Sequence, residues 1–346
     1  MHGGLPDAAQ GEPFLPGPVF AAPFHLAGEV DSAAFSYTRH ANPTSARLES
    51  ALAELEGGEV VLFASGMAAV GAVVLDGLRP GDVLVAPSDA YPGIRALARD
   101  QLEPRGVEVR LVPTDEAAVR EALPGATMVW VESPSNPGLA VLDLAALSAD
   151  VHALGGVLAV DGTLAGPLRQ QPLAIGADVS VVSASKSLTG HSDLVMGYAA
   201  VADPVRAAAL RAWRTNVGAI PGPFEAWLAH RSLATLALRL ERQEATAAVL
   251  VEALRARVDV SDVRWPGVGS VVCFTLDGAE RAQAFLSALR IVAEATSFGG
   301  VHANAERRAR WGTDAVAEGW IRLSTGIEDT DDVVADVLGA LDAVGT

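Results

Sequence analysis

Apolar residues follow two rhythms along this chain, and the change between them divides it. From residue 59 to 201, short runs apolar at consecutive positions recur: EVVLFA at 59–64, DVLVAP at 82–87, VEVRLV at 107–112, TMVWVE at 127–132, GVLAVD at 156–161, DVSVVS at 178–183 and LVMGYAAV at 194–201. Helical stretches separate them. A strand apolar on both faces is one covered by helices on both faces, so the alternation predicts a mostly parallel, doubly wound α/β sheet. The spacing also predicts a helix after the Asn42-Pro43-Thr44 turn, carrying Leu48, Leu52 and Leu55.

From Pro223 the rhythm lengthens. Phe224, Trp227, Leu228, Leu233, Leu236 and Leu240 predict one long helical stretch to about residue 257. After it come the strand-like VVCFTL, a helix around 279–289, the runs IVAEA and WIRLS (320–324), and a terminal helix ending near 344. Residues 1–40, rich in Pro, Gly and aromatics, have no periodicity and read as an extended arm. The expected organisation is an arm over 1–40, a large α/β domain over 41–223 and a smaller α+β domain over 224–346.

Composition narrows the function. A net charge of −17 argues against nucleic-acid binding, because no basic patch could neutralise phosphates without a local reversal of sign. No run of 18 apolar residues and no secretory leader pattern is visible, so a soluble cytoplasmic protein with no membrane partner is expected. Cys273, the single cysteine, lies in VVCFTL and reads as inert core. The seven histidines lack metal-ligand spacing, and no metal is expected.

One residue stands apart. Of the 25 Lys and Arg residues, Lys186 alone is a lysine. Arginine keeps its proton in a protein, whereas a desolvated lysine amine can become neutral and attack a carbonyl. Lys186 lies in Ser183-Ala184-Ser185-Lys186, directly after an apolar strand, where open α/β sheets form their ligand crevice. Asp161 ends another such strand and is followed by Gly162-Thr163. A carboxylate there needs a cation or several donors, such as a protonated pyridine nitrogen, although a helix cap would serve equally for Asp161 alone. The Ser65-Gly66-Met67 turn from strand to helix could offer free amides to a phosphate, or be no more than tight packing. Tyr91, on a turn after a strand, could stack on a flat ring and move a proton, or be a half-buried turn residue.

Four stretches taken together carry a resemblance: YTRHANPTSARLESALAELEGG (37–58) with SGMAA (65–69), VESPSNPGLAVLDL (131–144), VDGTLAGPL (160–168) and SASKSLTGHSD (183–193). A fifth, IRLSTGIEDTDDV (321–333), lies near the C-terminus. In this order, over nearly the whole chain, they resemble the Cys/Met-metabolism family of pyridoxal-phosphate enzymes, the cystathionine γ-lyase and γ-synthase group of fold type I.

The resemblance implies a PLP-dependent transferase fold type I and a pyridoxal 5'-phosphate cofactor held as a Schiff base by Lys186. It implies that Asp161 pairs with the pyridine nitrogen, Asn136 touches the ring hydroxyl and Thr163 lines the ring. The Gly66 and Met67 amides with Ser183 and Ser185 would hold the phosphate. Tyr37 and Arg39 resemble residues that reach the phosphate of a neighbouring subunit, which implies a homo-oligomer, usually a tetramer. Arg322 resembles the clamp for the substrate carboxylate, with Ser297 beside it.

Some positions depart from the family pattern. Gly162 and Leu164 stand where Asn and Phe are frequent, and Pro92-Gly93-Ile94 replaces a Gly-Gly-Thr run. The basic residue after the tyrosine comes one place early, as Arg95, and His302 replaces a glutamate that helps set substrate preference. The segment between Trp265 and Val271 is short.

The implied reaction is γ-elimination of a small sulfur amino acid, L-cystathionine going to cysteine, 2-oxobutanoate and ammonia, with Tyr91 as proton donor to the leaving thiol. Cystathionine γ-synthase or O-acyl-homoserine sulfhydrylase chemistry is the alternative, since γ-replacement uses the same groups, and methionine γ-lyase follows. A non-catalytic scaffold would need none of Lys186, Asp161, Tyr91 and Arg322, and the carboxylate clamp disfavours a sugar aminotransferase.

Overall fold

The computed structural model describes residues 3–7, 9–29 and 32–345. Seven strands form the larger sheet: β1 (Glu59–Phe63), β2 (Val83–Pro87), β3 (Glu108–Val112), β4 (Met128–Glu132), β5 (Val157–Asp161), β6 (Val179–Val182) and β7 (Gly197–Val201). Their order is β1-β7-β6-β5-β4-β2-β3. All neighbouring pairs are parallel except those that β7 makes with β6 and β1.

The consecutive apolar runs have the predicted cause. On β1, Val61 and Phe63 enter a core shared with helix Gly66–Gly77, while Val60 and Leu62 enter another shared with helix Pro43–Glu56. On β4, Met128 and Trp130 face the first layer, and Val129 and Val131 pack with Leu144 and Leu147 on the opposite side. Helix Pro43–Glu56 starts where expected, with Asn42 Oδ1 accepting from the Thr44 amide at 2.9 Å and Pro43 in the first turn.

A second, smaller sheet has the order β10-β11-β12-β9-β8, with β8 (Ser261–Arg264), β9 (Val271–Thr275), β10 (Ala293–Glu294), β11 (Asn304–Arg307) and β12 (Trp320–Ser324). Helices Leu236–Arg255, Gly278–Ala288 and Thr330–Val344 supply its core partners. The fold is thus α/β with a mostly parallel large sheet and a smaller second sheet.

Two expectations need correction. The helical stretch from Pro223 to about 257 is two helices, Pro223–Leu233 and Leu236–Arg255, separated at Ala234 and Thr235. The first packs Ala226 and Ala229 against Leu48 and Leu52 of the large sheet's layer, and the second turns to Val272 and Phe274 of the small one. The two cores lie in different directions, which one straight helix cannot serve. The IVAEA run contributes only the two residues of β10, both exposed at a sheet edge.

Described residues of the N-terminal segment fold back on their own chain. Trp227 Nε1 donates to Pro16 O at 3.0 Å, and the Val19 amide donates to Thr44 Oγ1 at 2.9 Å. Among the described residues, no helix is long and apolar enough to cross a membrane.

Candidate active site

Three parallel strands deliver their C-terminal ends to one place. Glu132 ends β4 and Asp161 ends β5, and the two are register partners; the turn after β6 carries Lys186. Such a crevice is where open α/β sheets bind ligands. A cavity of about 380 Å³ lies there, and Gly66, Met67, Tyr91, Asn136, Asp161, Thr163, Ser183, Ser185, Lys186, Ser297 and Arg322 all line it. The family resemblance names each of these residues, in segments scattered over most of the chain.

At one end is the start of helix Gly66–Gly77. Ser65 Oγ accepts from the Ala68 amide at 3.0 Å, which leaves the Gly66 and Met67 amides with no partner inside the helix. A side chain at Gly66 would meet Ser183 Cβ at 2.8 Å, so only glycine lets the turn lie this close to the strand end. Amides at a helix start beside Ser183 suit an anion. Ser185 is differently occupied: its hydroxyl donates to Met196 O at 3.1 Å and accepts from the Met196 amide at 2.9 Å. Its one proton must leave Met196 before it can serve a phosphate.

In the middle, Asp161 is buried, and its Oδ1 accepts from the Thr163 amide at 3.0 Å. Burial raises its pKa, against the opposing pull of the Thr163 bonds and the Lys186 charge. Thr163 Oγ1 in turn accepts from the Ser183 amide at 2.8 Å, tying the two strand ends together. Lys186 Nζ donates to Ser297 Oγ at 2.8 Å and sits 5.4 Å from the centre of the Phe298 ring. Burial first, and then the Arg322 charge, push the Lys186 pKa down, which favours the neutral amine.

At the far end, Arg322 is buried on β12, where Nη1 donates to Asn136 Oδ1 at 2.7 Å and Nη2 to Ser297 O at 3.0 Å. Nη2 also reaches Glu306 Oε1. Ser297 itself holds a left-handed φ of 78°, a conformation costly for a residue with a Cβ.

Sequence reasoning missed two acidic members, Glu132 and Glu306. Glu132 ends its strand as Asp161 does, and its Oε2 accepts from the Tyr91 amide at 2.8 Å; burial and the Asp161 charge hold its pKa well above the usual carboxylate value. The position at the end of an apolar strand was the available signal. Glu306 on β11 accepts from Arg308 Nη1 at 2.9 Å and from Trp311 Nε1 at 2.8 Å, besides Arg322. Burial opposes ionisation of Glu306, yet the two arginine charges and the Trp311 bond together hold its pKa below the usual value. No local pattern marks it.

Tyr37 and Arg39 do not line this cavity. Both are exposed, with the Arg39 guanidinium 5.7 Å from the Tyr37 ring centre and donating to Thr215 O at 3.2 Å. Arg95 is committed to the carbonyls of Ser88, Ala90 and Thr313.

The cavity suits a flat, phosphorylated aldehyde. It has anion-binding amides at one end, a buried carboxylate for a ring cation, and one lysine amine biased towards neutrality. Comparison with known proteins agrees. A sequence profile of the family described as "Cys/Met metabolism PLP-dependent enzyme" matches residues 20–342. A Streptomyces coelicolor protein named "Putative cystathionine gamma-lyase" is 52% identical, over 99% of this chain and 92% of its own. Cystathionine gamma-synthase of Escherichia coli is 36% identical, over 97% of this chain and 95% of its own. The crystal structure of apo CalE6, a methionine gamma lyase from Micromonospora echinospora, superposes with a TM-score of 0.90 at 37% identity, covering 98% of this chain and 97% of that one.

Proposed function

Given that the chain belongs to the Cys/Met-metabolism family of PLP-dependent enzymes, we propose that it catalyses γ-elimination of L-cystathionine to cysteine, 2-oxobutanoate and ammonia. The observation that carries the pyridoxal-phosphate chemistry is the convergence of Lys186, Asp161, Tyr91 and Arg322 on one cavity, and the 52% identical relative named as a putative cystathionine gamma-lyase favours elimination. When bound, pyridoxal phosphate supplies an electron sink for negative charge that develops on the substrate's carbon chain.

The chain's own residues do the rest. The Gly66 and Met67 amides and Ser183 would hold the phosphate, Thr163 would line the ring and Asn136 would meet its hydroxyl. Asp161 would face the ring nitrogen and favour its protonated form. Lys186 would hold the aldehyde, and its amine, once free, would take the substrate's α-proton; loss of a β-proton would then let the γ-sulfur leave. Arg322 holds the substrate carboxylate with the donors it has left, oriented by Asn136, Ser297 O and Glu306. Tyr91, 42% exposed at the cavity mouth, gives a proton to the departing thiolate.

Exposure of Tyr37 and Arg39 away from their own cavity supports a role in a second copy, and therefore a homo-oligomer, which we take to be a tetramer in the cytoplasm. The alternative activity is γ-replacement on an O-acyl-homoserine, because relatives named for synthase activity are also similar. Incubation with cystathionine alone, followed by an assay for 2-oxobutanoate, tests the lyase. If cystathionine is untouched while an O-acyl-homoserine plus cysteine is consumed, the synthase reading replaces it.

A further inference from the structure

Two polar side chains one helical turn apart on helix Leu236–Arg255, Arg239 and Gln243, are buried at 4% and 0% exposure. Among the described residues, neither meets a carboxylate. Arg239 spends its donors on oxygens of neutral groups: Nη1 on Ser187 O at 2.5 Å, Nη2 on Leu188 O at 2.9 Å and Ser232 O at 3.0 Å, and Nε on Thr235 Oγ1 at 3.2 Å. Burial without a counter-charge pulls its pKa down to about 10. A buried cation costs free energy, and a leucine would fill core at less expense. Gln243 Nε2 donates to Gly300 O at 2.7 Å.

These carbonyls lie on the two sides of the contact between Lys186 and Ser297. Ser187 and Leu188 directly follow Lys186, and Gly300 shortly follows Ser297. The two segments are pressed together: the Val301 amide donates to Gly190 O at 2.8 Å, and a Cβ on Gly299 would meet the Ser187 nitrogen at 2.5 Å. A Cβ on Gly190, whose φ is +71°, would collide with the Arg239 guanidinium.

We infer that Arg239 and Gln243 are positioning residues, a two-point clamp that holds the Lys186 turn and the Ser297 loop at the separation placing Lys186 Nζ against Ser297 Oγ. The inference rests on the reading of Lys186 as the cofactor-bearing amine. A guanidinium suits the task because its fork reaches several carbonyls in fixed directions, whereas an ammonium satisfies fewer of them at once.

The test uses the pyridoxal-phosphate-loaded protein with Arg239→Gln, Arg239→Lys and Gln243→Met. Misplacement of the lysine predicts kcat lower by about ten- to a hundredfold, with KM little changed. It also predicts a displaced midpoint in the pH titration of the visible absorbance, which reports ionisation at the link between Lys186 and cofactor. Arg239→Lys should recover part of what Arg239→Gln loses. Folded variants with the wild-type titration and kcat, differing only in thermal midpoint, would overturn the clamp and leave the functional reading standing. A wild-type protein that takes up no pyridoxal phosphate would overturn both. Should the Arg239 variants fail to fold, Gln243→Met decides alone, since it removes one hydrogen bond and no charge.

Discussion

Arg322 Nη1 donates to Asn136 Oδ1 across 2.7 Å, joining β12 of the small sheet to the loop that leaves β4 of the large one. With Nη2 occupied by Ser297 O and Glu306, the guanidinium is fixed before any substrate arrives. Arg322→Lys keeps the charge and loses the fork. Hydrogen bonds to charged groups contribute about 1.5–3 kcal/mol, so KM for the amino-acid substrate should rise about ten- to a hundredfold. Steady-state kinetics on the cofactor-loaded variant check this, and an unchanged KM would remove Arg322 from substrate binding.

Glu306 is the carboxylate that Arg322 and Arg308 share, both guanidiniums being buried. Glu306→Gln leaves two adjacent cations with Asp314 as the remaining acid beside Arg308. Breaking a buried ion pair on one side costs about 3–5 kcal/mol, which denaturant unfolding should register as a lower midpoint. A loss below about 1 kcal/mol would mean that solvent already screens the cluster.

Much of this was legible in the chain because burial on both sheet faces writes itself as consecutive apolar residues. The runs that became β1, β4, β5 and β7 are of this kind. Asp161 and Lys186 were legible as polar residues breaking that pattern at strand ends, and the family resemblance assigned the rest. What escaped had no local signature. SDVR and NAER form strands at β8 and β11 because neighbouring strands pair with them, not because of their own polarity pattern. The break at Ala234-Thr235 carries no Gly or Pro and follows from where two separate cores lie. Glu306 gains its meaning only when β11 pairs with β12 and sets it opposite Arg322.

Glu56 provides a pH signature away from the cavity. It is buried, and its Oε1 accepts from Tyr198 Oη at 2.5 Å. Burial raises its pKa above 4.5, outweighing the Tyr198 and Ser180 bonds. A carboxyl with a raised folded-state pKa contributes stability at low pH, and that contribution is lost as pH rises through the folded value. Glu56→Gln removes the titration, so its stability relative to wild type should grow as pH rises above the ordinary carboxyl value of 4.5, and level off once the folded-state carboxyl has ionised. Denaturant midpoints of both proteins across this range test the sign; a constant difference would contradict it.

Lys186 should react as an amine more acidic than usual. Its pKa is lowered from 10.5 by burial and then by Arg322, so the rate at which apoprotein takes up pyridoxal phosphate should rise with pH to a midpoint below 10.5. Stopped-flow absorbance measures that rate. A midpoint at or above the ordinary value would mean that the site does not activate its lysine.

The single lysine makes the most direct measurement unusually clean. Borohydride reduction of the cofactor-loaded protein fixes pyridoxal phosphate to whichever amine holds it, and peptide mass spectrometry then locates the adduct. One phosphopyridoxyl group on the peptide containing Lys186, absent from Lys186→Arg, is the predicted result. No adduct, or one confined to the α-amino terminus, would contradict the assignment on which the active site is built.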